Sequence, residues 1–286
     1  APRAVASAVA DFTTPEGWSC GDFPCEDDID GFLQRIRVPA GYAVAHYGRF
    51  DGQPMQITFG RDGRLYATVL ENGGPMGAVW VLDSNGRAER ITDAVLVYPS
   101  GLAFQPATDV LYVSWRVSMS GAGALWRITP DGAIQTVIDS LPCCFEDNGP
   151  GPQPNGLTFG ADGYLYLGVG ALTDKLEPPD PARMRYAEID PHEAAILRID
   201  PHMGTFTTYA QGLHNPQDIA FDSRGQAYAT DNGLLEGLGD RVLRVDAGAH
   251  YGWPYYRNRG CLDCPPTDFS FEYAPDLLPL PDYTLP

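Results

Sequence analysis

The chain has 286 residues, 44% of them hydrophobic, and a formal net charge of −18. That acidity excludes nucleic acid and anionic membrane surfaces as natural partners, since both repel a polyanion. No apolar run approaches the roughly 20 residues needed to span a bilayer.

Residues 1–35 read as an N-terminal extension, loop-rich and carrying Cys20 and Cys25. Cys25-Glu-Asp-Asp-Ile-Asp-Gly31 has the acidity of a calcium loop. It lacks the alternating carboxylates and terminal Glu of an EF-hand, so it reads as a solvated acidic turn. Ala1-Pro-Arg suits a mature start after cleavage. Arg37–Tyr47 reads as a strand that closes the last unit of a ring.

From there a repeat sets in. A first run ends at Phe59, Phe104, Phe159 and Phe221, and a tyrosine follows at Tyr66, Tyr112, Tyr166 and Tyr228. Turns such as Arg61-Asp-Gly63 and Ala161-Asp-Gly163 lie between them, and Asp-Gly between alternating apolar runs signals a hairpin. Third runs are Val79–Asp83, Leu125–Thr129, Ile196–Asp200 and Val242–Asp246. A fourth appears in three copies, near 87–92, 133–139 and 205–210. The phenylalanines are 45, 55 and 62 residues apart. Four short strands at such a period make propeller blades, each needing neighbours to cover both faces of its sheet. The expected fold is all-β, with residues 36–286 forming a β-propeller of four-stranded antiparallel blades. About four blades are present. The run from Ala274 to Pro286 reads as an approach to another repeat, so the propeller is expected to be incomplete, with a second chain a candidate source of the missing blades.

The six cysteines, Cys20, Cys25, Cys143, Cys144, Cys261 and Cys264, lie outside the repeated strands. Loop disulfides in an exported protein are the expectation, with an extracellular or periplasmic location. Cys20–Cys25 and Cys261–Cys264 are local pairs, and Cys143–Cys144 is either a vicinal bridge or pairs elsewhere. One Cys-x-x-Cys alone is a weak metal signal. The third repeat inserts a long segment between Gly170 and Ala194, of a length often functional.

In a propeller, the residues entering each first strand and leaving each second strand gather at one mouth. The entering residues are Gln53 and Gln56, Ser100, Asn155 and Asn215. The exits are Glu71-Asn-Gly, Trp115-Arg116, Gly170 and Asp231-Asn-Gly233. Their amides and carboxylates suit a sugar, a quinone or an oxygen-ligated cation. Asn155-Gly and Asn232-Gly also suit plain turns. His46, His192, His202 and His250 have no metal-ligand spacing, whereas His214 stands at the mouth. No Gly-x-Ser-x-Gly elbow, P-loop or His-Glu-x-x-His is present, which disfavours serine hydrolases and nucleotide enzymes.

At His214-Asn-Pro-Gln-Asp-Ile-Ala-Phe-Asp222, Thr230-Asp-Asn-Gly233 and Ala249-His-Tyr-Gly-Trp-Pro254 the chain resembles the soluble glucose/sorbosone dehydrogenase family. The Phe-Gly-x-Asp-Gly-x-Leu-Tyr runs at Phe59–Tyr66 and Phe159–Tyr166 agree. The resemblance implies a six-bladed propeller, export, and pyrroloquinoline quinone (PQQ) with calcium as cofactors. It places His214-Asn215 where the family has a quinone-contacting Arg-Asn pair, with Gln56, Asn155 and Asn232 alongside. It places Asn232-Gly233-Leu234 where backbone oxygens hold calcium, so Gly233 and Leu234 are the implied ligands. Before Leu157 the family has an Asp-His pair whose histidine takes a proton from the sugar. This chain has Asn155-Gly156 instead. A base must come from elsewhere, and Asp147 or Glu146 in the preceding loop are candidates.

Three functions follow as expectations. One is an exported PQQ-dependent sugar or alcohol dehydrogenase that oxidises a polyol or aldose and passes electrons to an external acceptor. The others are a non-catalytic extracellular propeller and a calcium-dependent lactonase-type hydrolase.

Overall fold

Alternating apolar runs divided by Asp-Gly turns fold as sequential antiparallel strands. The computed structural model describes residues 36–118, 121–143, 154–171, 192–233, 240–251 and 283–284. Residues 1–48 and 49–286 form two units. In the first, residues 36–48 carry no strand, contrary to expectation. The Tyr42 N–H closes a turn onto the Pro39 carbonyl, and Ile36, Val38, Tyr42 and Tyr47 are exposed. A strand exists by pairing, and among the described residues nothing pairs with this one.

The second unit holds four blades. Blade 1 has β1 (Gln53–Phe59), β2 (Leu65–Leu70), β3 (Met76–Leu82) and β4 (Ala88–Arg90). After a short β5 (Leu96–Val97), blade 2 has β6 (Leu102–Phe104), β7 (Leu111–Arg116), β8 (Gly123–Ile128) and β9 (Ile134–Leu141). Blade 3 has β10 (Pro154–Phe159), β11 (Leu165–Val169), β12 (Ala195–Ile199) and β13 (Phe206–Gln211). Blade 4 has β14 (Pro216–Phe221), β15 (Ala227–Asp231), β16 (Arg241–Val245) and β17 (Tyr283–Thr284). Each pairs in chain order, and β5 bridges β3 and β7. Tyr283–Thr284 pairs with β16 and so completes blade 4. The rest of the run from Ala274 to Pro286, read as an approach to a further repeat, lies outside the described residues. The first strands of successive blades touch, β1 with β6, β6 with β10, and β10 with β14. This is an all-β partial propeller.

Strand periodicity explains how both faces of a blade are covered. In β11, Leu165, Leu167 and Val169 join the core shared with blade 2, while Tyr166 joins the core shared with blade 4. In β12, Ala195, Leu197 and Ile199 face blade 2, and Ile196 faces blade 4. The Phe and Tyr marks of the repeat are the contact between blades. Tyr66 meets Phe104 edge-on at 4.9 Å, Tyr112 meets Phe159 at 5.4 Å, and Tyr166 meets Phe221 at 4.8 Å. Tyr66 and Tyr166 also bond the turn carboxylates Asp62 and Asp162, each at 2.9 Å. Burial and these bonds push both phenols up to about 12. The turn glycines Gly63 and Gly163 have φ of 76° and 80°, which a side chain would strain. In blade 1, Ile57 and Phe59 are 56% and 58% exposed.

A hydroxyl stitches successive blades near the channel. The Gln56 N–H donates to Thr68 Oγ1, Gly101 N–H to Ser114 Oγ, and Asp218 N–H to Thr230 Oγ1. Thr68 passes its own proton to the Ser100 carbonyl, and Ser114 to that of Asn155, both on the following blade. In blade 3 the equivalent residue is Gly168, and the Pro216 carbonyl lies directly against it. Gly101 is equally crowded. A Cβ there would lie 2.9 Å from Gly156 Cα and 3.0 Å from Leu157 N. Because both are backbone atoms, Gly101→Ala forces blades 2 and 3 apart. It is expected to cost about 1–3 kcal/mol in denaturant unfolding.

Candidate functional site

The entry turn of blade 4 is built on one carboxylate. Asp231, at the end of β15, is fully buried. It accepts the backbone N–H of His214 at 3.0 Å and of Asn215 at 2.7 Å, and forms an ion pair with Arg241. The Asn232 N–H returns to the Asn215 carbonyl at 3.1 Å. His214 Nδ1 lies 2.8 Å from the Asn232 carbonyl. A carbonyl only accepts, so Nδ1 carries the proton and the acceptor of the neutral ring is Nε2. The His214 carbonyl takes the Ala171 N–H of blade 3 at 2.8 Å.

Blade 3 reaches across to this turn. Asn155 is buried, and its Nδ2 donates to Asn215 Oδ1 at 2.7 Å and to the Pro216 carbonyl at 2.8 Å. Blade 1 reaches it as well. Gln56 Oε1 accepts the Leu102 N–H at 2.7 Å, and Gln56 Nε2 donates to Asp218 Oδ1 at 2.7 Å. Asn155, His214, Asn215 and Asn232 therefore form one hydrogen-bonded network, and Gln56 reaches the same strand, β14, through Asp218.

Other expected mouth residues serve the fold. Glu71 accepts from Trp80 Nε1 at 2.8 Å and is ion-paired with Arg90. Arg116 is buried with its guanidinium 4.5 Å from the Tyr98 ring centre, and burial pulls its pKa down. The Ser100 hydroxyl bonds the Tyr98 carbonyl. His250 and Tyr251 follow β16 and lie along β13, with Gln211 bridging to His250 and the Tyr251 N–H donating to the Gln211 carbonyl at 2.8 Å. Burial lowers the His250 pKa. Gly233 donates its N–H to Asp240 Oδ1 at 2.8 Å. Leu234, Glu146 and Asp147 lie outside the described residues, as do all the cysteines but Cys143, which is disulfide-bonded.

The glucose/sorbosone dehydrogenase family model matches residues 111–261, just over half of the chain. The chain belongs to the glucose/sorbosone dehydrogenase family. Its fold is similar to that of a PQQ-bound aldose sugar dehydrogenase from Streptomyces coelicolor, at 21% identity and a TM-score of 0.57. That match covers 76% of this chain and 67% of the other. An oxidoreductase from Thermus thermophilus, described as a glucose dehydrogenase, matches at 21% identity and a TM-score of 0.60, covering 82% and 70%. The soluble aldose sugar dehydrogenase of Escherichia coli in its apo form matches at 17% identity and 0.52, covering 71% and 63%. No curated protein matches in sequence.

Within this family member, Asp218 escapes sequence reasoning altogether, and Asp231 does so in its role. Asp231 is expected at the mouth as the exit of a second run, and the structure makes it the anchor of the entry turn of blade 4. Asp218 looks like an exposed strand residue. It holds Gln56 and accepts the Ile219 N–H at 2.9 Å. Desolvation raises its pKa, against the opposing pull of the Ile219 and Gln56 hydrogen bonds. The signal available was the replacement of a small residue type by a carboxylate at the position that Gly101 and Gly156 hold in blades 2 and 3.

Proposed function

We propose that this chain is a PQQ-dependent dehydrogenase of aldoses or related polyols, assisted by calcium and passing electrons to an external acceptor. The observation that carries it is the convergence of Asn155, His214, Asn215 and Asn232 on one network at the entry of blade 4, with Gln56 bonded to Asp218 on the same strand. Family membership and a fold similar to PQQ-bound enzymes support it. Amide and imidazole groups suit quinone oxygens and sugar hydroxyls, so the donor set fits the cofactor. When bound, the quinone would accept a hydride while calcium polarises it. Asn215 and His214 would orient the cofactor, with Asn155 fixing the Asn215 amide. Gly233, whose N–H bonds Asp240, and Leu234 would offer backbone oxygens to calcium. The Cys143 disulfide and the acidic charge support work outside the cytoplasm.

Titrating the protein with PQQ and calcium, then adding a panel of sugars and a redox dye, tests this. The expected result is saturable quinone absorbance changes and dye reduction with aldoses. Absence of both rejects the proposal. Gly156, at the place of the family's histidine, favours a second reading as a sugar-binding module. Sugar binding without quinone binding would select it.

A further inference from the structure

The family resemblance implies a proton-taking histidine just before Leu157, and this chain has Gly156 there. What lies over Gly156 is a carboxylate from the next blade. A Cβ on Gly156 would fall 2.6 Å from Asp218 Oδ1 and 2.5 Å from the Gln217 carbonyl. Any side chain there would displace Asp218. The glycine and the aspartate are thus complementary, one vacating the space that the other enters.

We infer that Asp218 is the proton acceptor of the reaction, working from blade 4 at the place left open by Gly156. The inference rests on the dehydrogenase reading above. Three observations carry it. Asp218 is two residues beyond Pro216, whose carbonyl is bonded to Asn155, so it shares the site's framework. It stays exposed on β14, on the side opposite the buried Ile219. Its Oδ1 is held by two donors, Gln56 Nε2 at 2.7 Å and Ile219 N at 2.9 Å, which orient the carboxylate. Both of these donors fall on Oδ1, so Oδ2 is the oxygen that would take the proton.

In the step, the O–H bond at the sugar C1 breaks and its proton passes to Asp218. The C1–H bond breaks in the same event, and a quinone held by His214 and Asn215 would be the two-electron oxidant that takes its hydride. C1 gains a carbonyl, and the aldose leaves as the lactone, oxidised by two electrons. The raised pKa of Asp218 brings it nearer to neutrality, as a base of this kind requires. No charged group contributes to that shift, which comes from desolvation set against the Ile219 and Gln56 hydrogen bonds.

Asp218→Asn tests the assignment, because asparagine can still accept from Gln56 and Ile219. The variant should keep the wild-type melting temperature and bind PQQ with unchanged spectra and affinity. Its kcat should fall at least about 100-fold, while KM moves little. The wild-type rate should decline as pH falls through the Asp218 pKa, and the variant should lose that limb. In the protein loaded with reduced quinone, the Asp218 carboxyl carbon resonance should move when aldose is added. A variant within threefold of wild-type kcat, or a resonance that sugar leaves in place, overturns the inference alone. A wild type that neither binds PQQ nor reduces dye overturns the dehydrogenase reading, and this inference with it.

Discussion

Replacing Asp231 by alanine is expected to remove about 3–5 kcal/mol of stability, as equilibrium urea unfolding would measure it. The carboxylate is fully buried, so its partners cannot turn to water when it goes. The His214 and Asn215 N–H groups would lose their acceptor, and the guanidinium of Arg241 would stay mostly buried without its counter-charge. Breaking such a pair from one side is costlier than never having built it. Asp231→Asn should cost less, since one oxygen still accepts a backbone N–H. The His214–Asn232 bond belongs to the same turn, so quinone binding should weaken along with stability. A loss below about 1 kcal/mol for the alanine variant would show that the turn holds itself without this anchor.

The second large effect lies in the core. Leu197 is fully buried in the cluster shared by blades 2 and 3, with Leu125, Leu141, Leu157 and Leu167. Leu197→Ala is expected to cost about 2–5 kcal/mol, the range for deleting a buried leucine in a core that relaxes only in part. Ile57→Ala provides the contrast. Ile57 occupies the β1 place that Leu102, Leu157 and Ile219 hold in the other blades, yet it is 56% exposed. Its loss should cost less than about 1 kcal/mol. Denaturant midpoints at an unchanged m-value would register the difference. Equal effects would contradict neighbour-on-neighbour stacking of the blades.

The blades were readable from the sequence because each carries strong periodic marks. Phe104, Phe159 and Phe221 and their tyrosine partners recur at fixed places because each pair packs at a junction between blades. The entry asparagines were readable for the same reason, since the strand pattern fixes where Asn155 and Asn215 emerge. The two-residue strands β5 and β17 escaped because a period needs more residues than they have. Arg37–Tyr47 alternates like a strand, but a strand also needs a partner, which alternation does not reveal. Glu71 seemed available at the mouth until its bonds to Trp80 and Arg90 were seen, both from residues distant in sequence. The role of Asp218 and the anchoring role of Asp231 escaped because they depend on groups brought together by folding. A single chain position holds no trace of that.

The Gln56–Asp218 bond joins the first and last of the four described blades, which are 162 positions apart in the chain. A linear array of repeats is coupled only to nearest neighbours, so its two ends would fray independently. This tie lets the end sheets report on each other. Loosening β14 releases Gln56, and with it the Leu102 N–H that the Gln56 Oε1 accepts. Melting at one terminus is thereby felt at the opposite one, and the four sheets become a more cooperative whole than their pairwise packing alone would make them.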